Sequence, residues 1–156
     1  MKIILLVIGK TEEQYLKEGF AVYEKRLQRY IPFEKKEIPA LKNITKPEEQ
    51  KRKEAELILD HPDFISADFK ILLDEKAMQF TSVEFAGFIQ KQFNKGLKKI
   101  VFVIGGAYGF SAQVYEKANA KISFSRQTFS HQMIRLFFVE QLYRAMTILR
   151  GENYHH

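Results

Sequence analysis

The segment Lys99-Ile100-Val101-Phe102-Val103-Ile104-Gly105-Gly106-Ala107-Tyr108-Gly109 couples an unbroken apolar run to a glycine-rich turn. A run without polar alternation reads as a strand covered on both faces, the habit of parallel sheets in α/β folds. Such sheets bind ligands beyond the carboxyl ends of their strands, where glycines let the backbone approach a ligand closely. The turn itself is unspecific. Its G-G-x-x-G spacing departs from the dinucleotide fingerprint and no phosphate-loop lysine follows, so alone it is equally well a tight turn.

Working outward, the same grammar repeats. Upstream, Thr81-x-x-Glu84 is a capping box for a helix ending at Gly96, and Phe69–Asp74 is a strand with a loop over Glu75–Phe80. Pro47 opens a helix over Glu48–Leu59, which His61-Pro62 stops. Residues 33–39 form a short, half-polar edge strand. Thr11-x-x-Gln14 reads as a capping box for a helix ended by Pro32, and residues 2–9 form another buried strand. Downstream come a short helix from Ser111, a strand near Lys121–Phe124 and a long helix from His131 to Arg150. Five strands interleaved with five helices predict one α/β domain over residues 1–156, a parallel sheet with helices on both faces. The loops Leu73–Phe80, Gly105–Phe110 and Ser123–Ser130 then surround any site, and their hydroxyls and backbone could bond to a ligand.

At 156 residues and 46% hydrophobic content, the chain has enough apolar material for one core. The absence of cysteine excludes a disulfide framework, a thiolate zinc site and a cysteine nucleophile. The four histidines show no metal-ligand spacing, so no metal is expected. The apolar run after Lys2 is too short for a signal peptide or a membrane span, which predicts a soluble, cytoplasmic protein without a membrane partner. Of the net charge of +6, residues 71–156 carry +5; between 117 and 150 six basic residues face only Glu140. A basic C-terminal half favours phosphate-rich partners, although an ordinary basic surface has the same composition.

The last helix is the most informative element. Glu140, Gln141, Arg144, Thr147 and Arg150 share one polar arc, whereas Arg135 projects among Val139, Leu142, Met146 and Leu149. An arginine there is either ion-paired at an interface or turned towards an anionic ligand, because an unpaired guanidinium in apolar surroundings is costly. His131 lies one turn earlier on nearly the same face. The rest of the helix is more apolar than one domain face requires, and the surplus reads as a subunit interface.

These residues carry a resemblance. Ile104-Gly105-Gly106-Ala107-Tyr108-Gly109 precedes Ser123-Phe124-Ser125-Arg126-Gln127-Thr128-Phe129-Ser130-His131-Gln132-Met133-Ile134-Arg135, then Glu140-Gln141-Leu142-Tyr143-Arg144-Ala145 and the terminal Tyr154-His155-His156. Together they resemble the ribosomal large subunit pseudouridine N3-methyltransferase family of the SPOUT superfamily, over the whole chain. Two positions depart from that pattern: Ala77 after the third strand, and Ser130, which remains a good helix N-cap. The resemblance implies a C-terminal trefoil knot, a homodimer, S-adenosylmethionine as methyl donor, and N3 of a pseudouridine in 23S rRNA of the assembled ribosome as substrate. It maps the cofactor onto Leu73, Gly105, Ser123, Phe124, Ser125, Arg126, Gln127 and Thr128.

N3 carries an imide proton and is a poor nucleophile until that proton leaves. Arg135 is the first candidate to stabilise the anion, and His131 or Glu140 to accept the proton. Glu140 and Arg144, spaced i,i+4, could instead pair with each other. Arg144, Tyr154 and His155 are candidates to bind the substrate, with the tail expected to reach the partner subunit's site. The rival reading is a non-catalytic, flavodoxin-like nucleotide-binding module, which suits the alternating pattern but leaves Arg135 and the basic stretch unexplained.

Overall fold

The computed structural model describes residues 1–156. Five strands, β1 (Lys2–Ile8), β2 (Phe33–Ile38), β3 (Phe69–Leu73), β4 (Lys99–Ile104) and β5 (Ala120–Ile122), form one parallel sheet in the order β2-β1-β4-β3-β5. The helices are α1 (Gln14–Leu27), α2 (Pro47–Leu59), α3 (Pro62–Ile65), α4 (Ser82–Asn94), α5 (Ala112–Lys117) and α6 (Met133–Leu149). The period-2 geometry of a strand divides the apolar runs between two cores. Ile3, Leu5 and Val7 of β1 with Ile100 and Phe102 of β4 pack under α1, α4 and α6. Ile4, Leu6, Val101 and Val103 pack on the opposite face with α2, α3 and α5. Register brings Val7, Leu73 and Ile104 level, with Ile122 beside Leu73, so four strands end along one edge.

Most local signals are realised. Thr81 and Glu84 make both bonds of the capping box, Ser111 Oγ accepts from Val114 N–H, and Pro47 opens α2. Gly96, with φ +70, supplies the left-handed turn that stops α4. The half-polar β2 is indeed an edge strand. Ser130 Oγ accepts from Met133 N–H at 3.0 Å and so caps the entry to α6.

Three expectations are corrected. His61-Pro62 does not merely stop α2; the His61 ring accepts from Asp63 N–H and starts the single turn α3. Thr11 and Gln14 do not form a capping box: α1 begins at Gln14 after an uncapped Glu13, and the Thr11 hydroxyl bonds to Arg135 instead. Much of the apolar surplus of α6 is absorbed within the chain, because α6 lies on the sheet between α1 and α4. Val139 and Leu142 are fully buried core residues. The apolar surface left open near this helix is the Phe129–Phe137 pair, 37% and 40% exposed, with ring centroids 5.0 Å apart.

Candidate functional site

A cleft of about 520 Å³ opens at the carboxyl edge of the sheet. Its walls are Leu73–Lys76 after β3, Gly105–Phe110 after β4 and the Ile122–Ser125 and Gln127–Phe129 stretches after β5, with His131 and Ile134 from the start of α6. These are the three loops that the sheet argument singled out. Leu73, Gly105, Ser123, Phe124, Ser125, Gln127 and Thr128 all line it, whereas Arg126 does not.

The loop chemistry differs from expectation in one respect. Ser123 is buried, and its hydroxyl donates to Ser125 O at 2.8 Å and accepts from Ser125 N–H at 3.2 Å. Ser125 Oγ in turn accepts from Gln127 N–H at 2.9 Å. These hydroxyls are engaged in shaping the turn, as serine commonly is, instead of reaching towards a ligand. Ser123 is also tied to the loop after β3, donating its N–H to Met78 O. On the other wall, the Tyr115 phenol donates to Asp74 Oδ2, and Asp74 Oδ1 accepts from Lys76 N–H. Burial and that carboxylate together push the Tyr115 phenol well above its usual range.

His131 is half-buried in the cleft wall. Burial first, and the Arg135 cation second, hold its ring below the usual histidine pKa, so it is a neutral base at neutral pH. Arg135 itself does not reach the cleft, which corrects both orientations expected for it. It is 1% exposed and has no acidic partner within ion-pair distance. Its Nη2 donates to Ile8 O at 2.6 Å, its Nη1 to Gly9 O at 3.0 Å and Thr11 Oγ1 at 3.1 Å, and its Nε to His131 O at 3.1 Å. The guanidinium therefore clamps the end of β1 to the first turn of α6. Gln132 reinforces that junction, donating to Lys10 O and accepting from Glu12 N–H.

Glu140, Arg144, Tyr154 and His155 gather in a second cluster away from the cleft walls. Arg144 donates to Glu140 Oε1 at 2.6 and 3.1 Å, so the i,i+4 pair exists. The Tyr154 phenol donates to the same oxygen at 2.9 Å, and Gln141 occupies Oε2. The Arg144 guanidinium stacks 4.6 Å over the Tyr154 ring and lies 3.4 Å from His155 Nδ1. The tail is thus folded against α6, with Tyr30 donating to Glu152 at 2.6 Å.

Sequence reasoning missed Lys51, Tyr115 and Ile134 in the cleft wall, and Glu54 behind it. For Glu54 a signal existed: its i,i+4 spacing from Ile58 puts a carboxylate on the apolar face of α2. No group of three His, Cys, Asp or Glu side chains could hold a metal ion, and no helix is long and apolar enough to cross a membrane.

Residues 1–155 match a family model described as a predicted SPOUT methyltransferase. The chain is 54% identical over 158 residues to the ribosomal RNA large subunit methyltransferase H of Christiangramia forsetii, covering 100% of this chain and 99% of that protein. The protein of the same name from Cytophaga hutchinsonii is 54% identical over 157 residues, with both chains covered completely. Among solved structures, a probable methylase family protein from Haemophilus influenzae aligns with TM-score 0.58 at 14% identity, over 99% of this chain and 70% of that one. A putative methyltransferase from Legionella pneumophila, solved with the bound cofactor SAM, aligns with TM-score 0.51 at 12% identity, over 93% and 66% of the two chains. These distant structures establish a likeness of fold.

Proposed function

The chain belongs to the SPOUT methyltransferase family, and from that premise we propose that it transfers a methyl group from S-adenosylmethionine to RNA of the large ribosomal subunit. The reading extends to N3 of a pseudouridine in 23S rRNA of the assembled ribosome, in the cytoplasm, by a homodimer. A C-terminal trefoil knot, which the family resemblance implies, belongs to the same reading. What supports it most is the convergence of Leu73, Gly105 and the Ser123–Thr128 loop on one cleft, with His131 in its wall. The alternative of a non-catalytic, flavodoxin-like module gives His131 no task.

The cleft suits the donor on its own chemistry. Its volume falls in the range of small-ligand sites, and its walls combine apolar surface with backbone donors and acceptors from three loops. Bound there, a sulfonium supplies an electrophilic methyl group. The protein's residues must hold the base in line and manage one proton. His131 is the proposed acceptor: its neutral ring would take the N3 proton from the base when a bound sulfonium supplies the methyl group. Glu140, the other sequence candidate, is outside the cleft with both oxygens occupied. Arg135 becomes a positioning residue that fixes His131 through its backbone and helps to keep its ring neutral. Arg144, Tyr154 and His155 present the tail as the substrate-side surface, reaching the partner subunit's cleft in the dimer. Phe129 and Phe137 are the proposed centre of the subunit contact.

Calorimetry tests the cofactor half directly. S-adenosylmethionine should bind without added metal, and FMN and NAD should not. Tight FMN or NAD binding with no response to S-adenosylmethionine would favour the non-catalytic module.

A further inference from the structure

Glu54 is a carboxyl group that the mechanism above does not use. It lies on α2, 3% exposed, with Ala55 and Ile58 packed into the core on the same helix. Oε1 accepts from Gln50 Nε2 at 3.0 Å, while buried Oε2 has no hydrogen-bond partner. An orphaned buried carboxyl oxygen is rare and asks for a reason. In front of it stands the glycine turn of the cleft. A Cβ on Gly106 would lie 2.6 Å from both Glu54 oxygens, and one on Gly105 would lie 3.1 Å from the Phe110 ring. The Gly105–Gly106 peptide is therefore seated between a carboxyl group and an aromatic ring, with no room for a side chain at Gly106. Burial pushes the Glu54 carboxyl above its usual range, and the Gln50 amide and the Gly106 N–H offset this in part.

A trans peptide unit is planar, so the Gly106 N–H and the Gly105 carbonyl point in opposite directions. The Gly106 N–H has no acceptor among the hydrogen bonds of the structure, and Oε2 beside it has no donor; pairing the two from behind the loop would leave the Gly105 carbonyl on the side of the cleft that Gly105 lines. We propose that Glu54 is a positioning residue for the methyl donor: it anchors the Gly106 N–H from behind the loop and so aims the Gly105 carbonyl as an acceptor for a donor group on the bound cofactor. This rests on the methyltransferase reading of the cleft. It assigns a role in cofactor affinity to Glu54, which stands directly behind the lining residue Gly106 and does not itself line the cleft.

The test uses the full-length protein and two substitutions. Glu54→Leu fills the same space without an acceptor and removes a buried polar group, so it should fold and melt near or above the wild type. Glu54→Gln keeps one acceptor oxygen. Without ligand, amide exchange at Gly106 should accelerate in Glu54→Leu and stay near wild type in Glu54→Gln. By calorimetry, Glu54→Leu should bind S-adenosylmethionine roughly tenfold more weakly, the effect of about one net hydrogen bond, and Glu54→Gln within about threefold of wild type. In turnover, the change in Glu54→Leu should fall on the KM for the donor and leave kcat nearly unaltered. Unchanged Gly106 exchange or unchanged donor affinity in a stably folded Glu54→Leu protein would overturn the proposal. If wild-type protein binds no S-adenosylmethionine while Gly106 exchange still depends on Glu54, the methyltransferase reading fails, and the cofactor role of Glu54 fails with it.

Discussion

Truncating Arg135 to alanine removes four hydrogen bonds from the junction between β1 and α6, made to Ile8 O, Gly9 O, Thr11 Oγ1 and His131 O. Ile8 and Thr11 are each 5% exposed, so the acceptors stranded there have little access to water. Each buried polar group left without its partner costs about 1–3 kcal/mol, which for the two carbonyls at the end of β1 gives about 2–6 kcal/mol. Taking about 4 kcal/mol as the centre, the melting temperature of a chain of this size should fall by about 8–16 °C. Arg135→Lys should recover only part of this, since one ammonium cannot span both carbonyls as the planar fork does. Thermal and urea denaturation, read beside cofactor calorimetry, measure the effect. The destabilised variant should also bind S-adenosylmethionine less well, because the His131 end of the cleft is built on that junction. An Arg135→Ala protein that melts within about 2 °C of wild type, binds the donor normally and has lost all turnover would refute this. Its guanidinium would then act on the reacting base.

Three further outcomes follow from the same geometry. His131→Ala should lose on the order of 10²–10⁴ in kcat with donor affinity largely kept, and the wild-type rate should fall only as pH drops through a pKa below the usual histidine value of 6.5; an acid limb that persists unchanged in His131→Ala would remove the ring from proton transfer. Phe137→Glu should convert dimer to monomer in sedimentation equilibrium without lowering the melting temperature of the subunit, whereas Leu142→Glu, at a fully buried position, should unfold the subunit itself; a dimer untouched by Phe137→Glu would move the contact elsewhere. EDTA should leave donor binding intact, since no side-chain group could hold a metal ion; recovery of lost binding on adding zinc or magnesium would contradict that.

The parts of this molecule that were legible in its sequence are those decided locally. Uninterrupted runs such as Ile100–Ile104 announce doubly covered strands, and Thr81, Glu84, Ser111 and Gly96 mark helix ends through bonds within one or two turns. The alternation of strands and helices then puts the loops after β3, β4 and β5 at one edge, so most of the cleft lining followed. The strand order β2-β1-β4-β3-β5 did not, because it depends on pairings between segments far apart in the chain. The same limit explains the failures at Thr11 and Arg135. Thr11 obeys a local capping pattern, but a guanidinium 124 residues away takes its hydroxyl. Arg135 was correctly recognised as costly among apolar neighbours, yet its partners are backbone carbonyls, which carry no sequence signature. Glu54 did carry a signal, as a carboxylate on the apolar face of α2, but its neighbour across the loop, the bare backbone of Gly106, carries none.

The central claim, methyl transfer to RNA of the large ribosomal subunit, is most directly tested on the substrate. Ribosomes lacking the modification would be incubated with the purified protein and S-adenosylmethionine, and the 23S rRNA digested and analysed by mass spectrometry. The account predicts the mass increment of one methyl group on a single pseudouridine nucleoside, dependent on the donor and lost in His131→Ala. Ribosomal RNA that returns unmodified, from a protein shown by calorimetry to bind the donor, would contradict it.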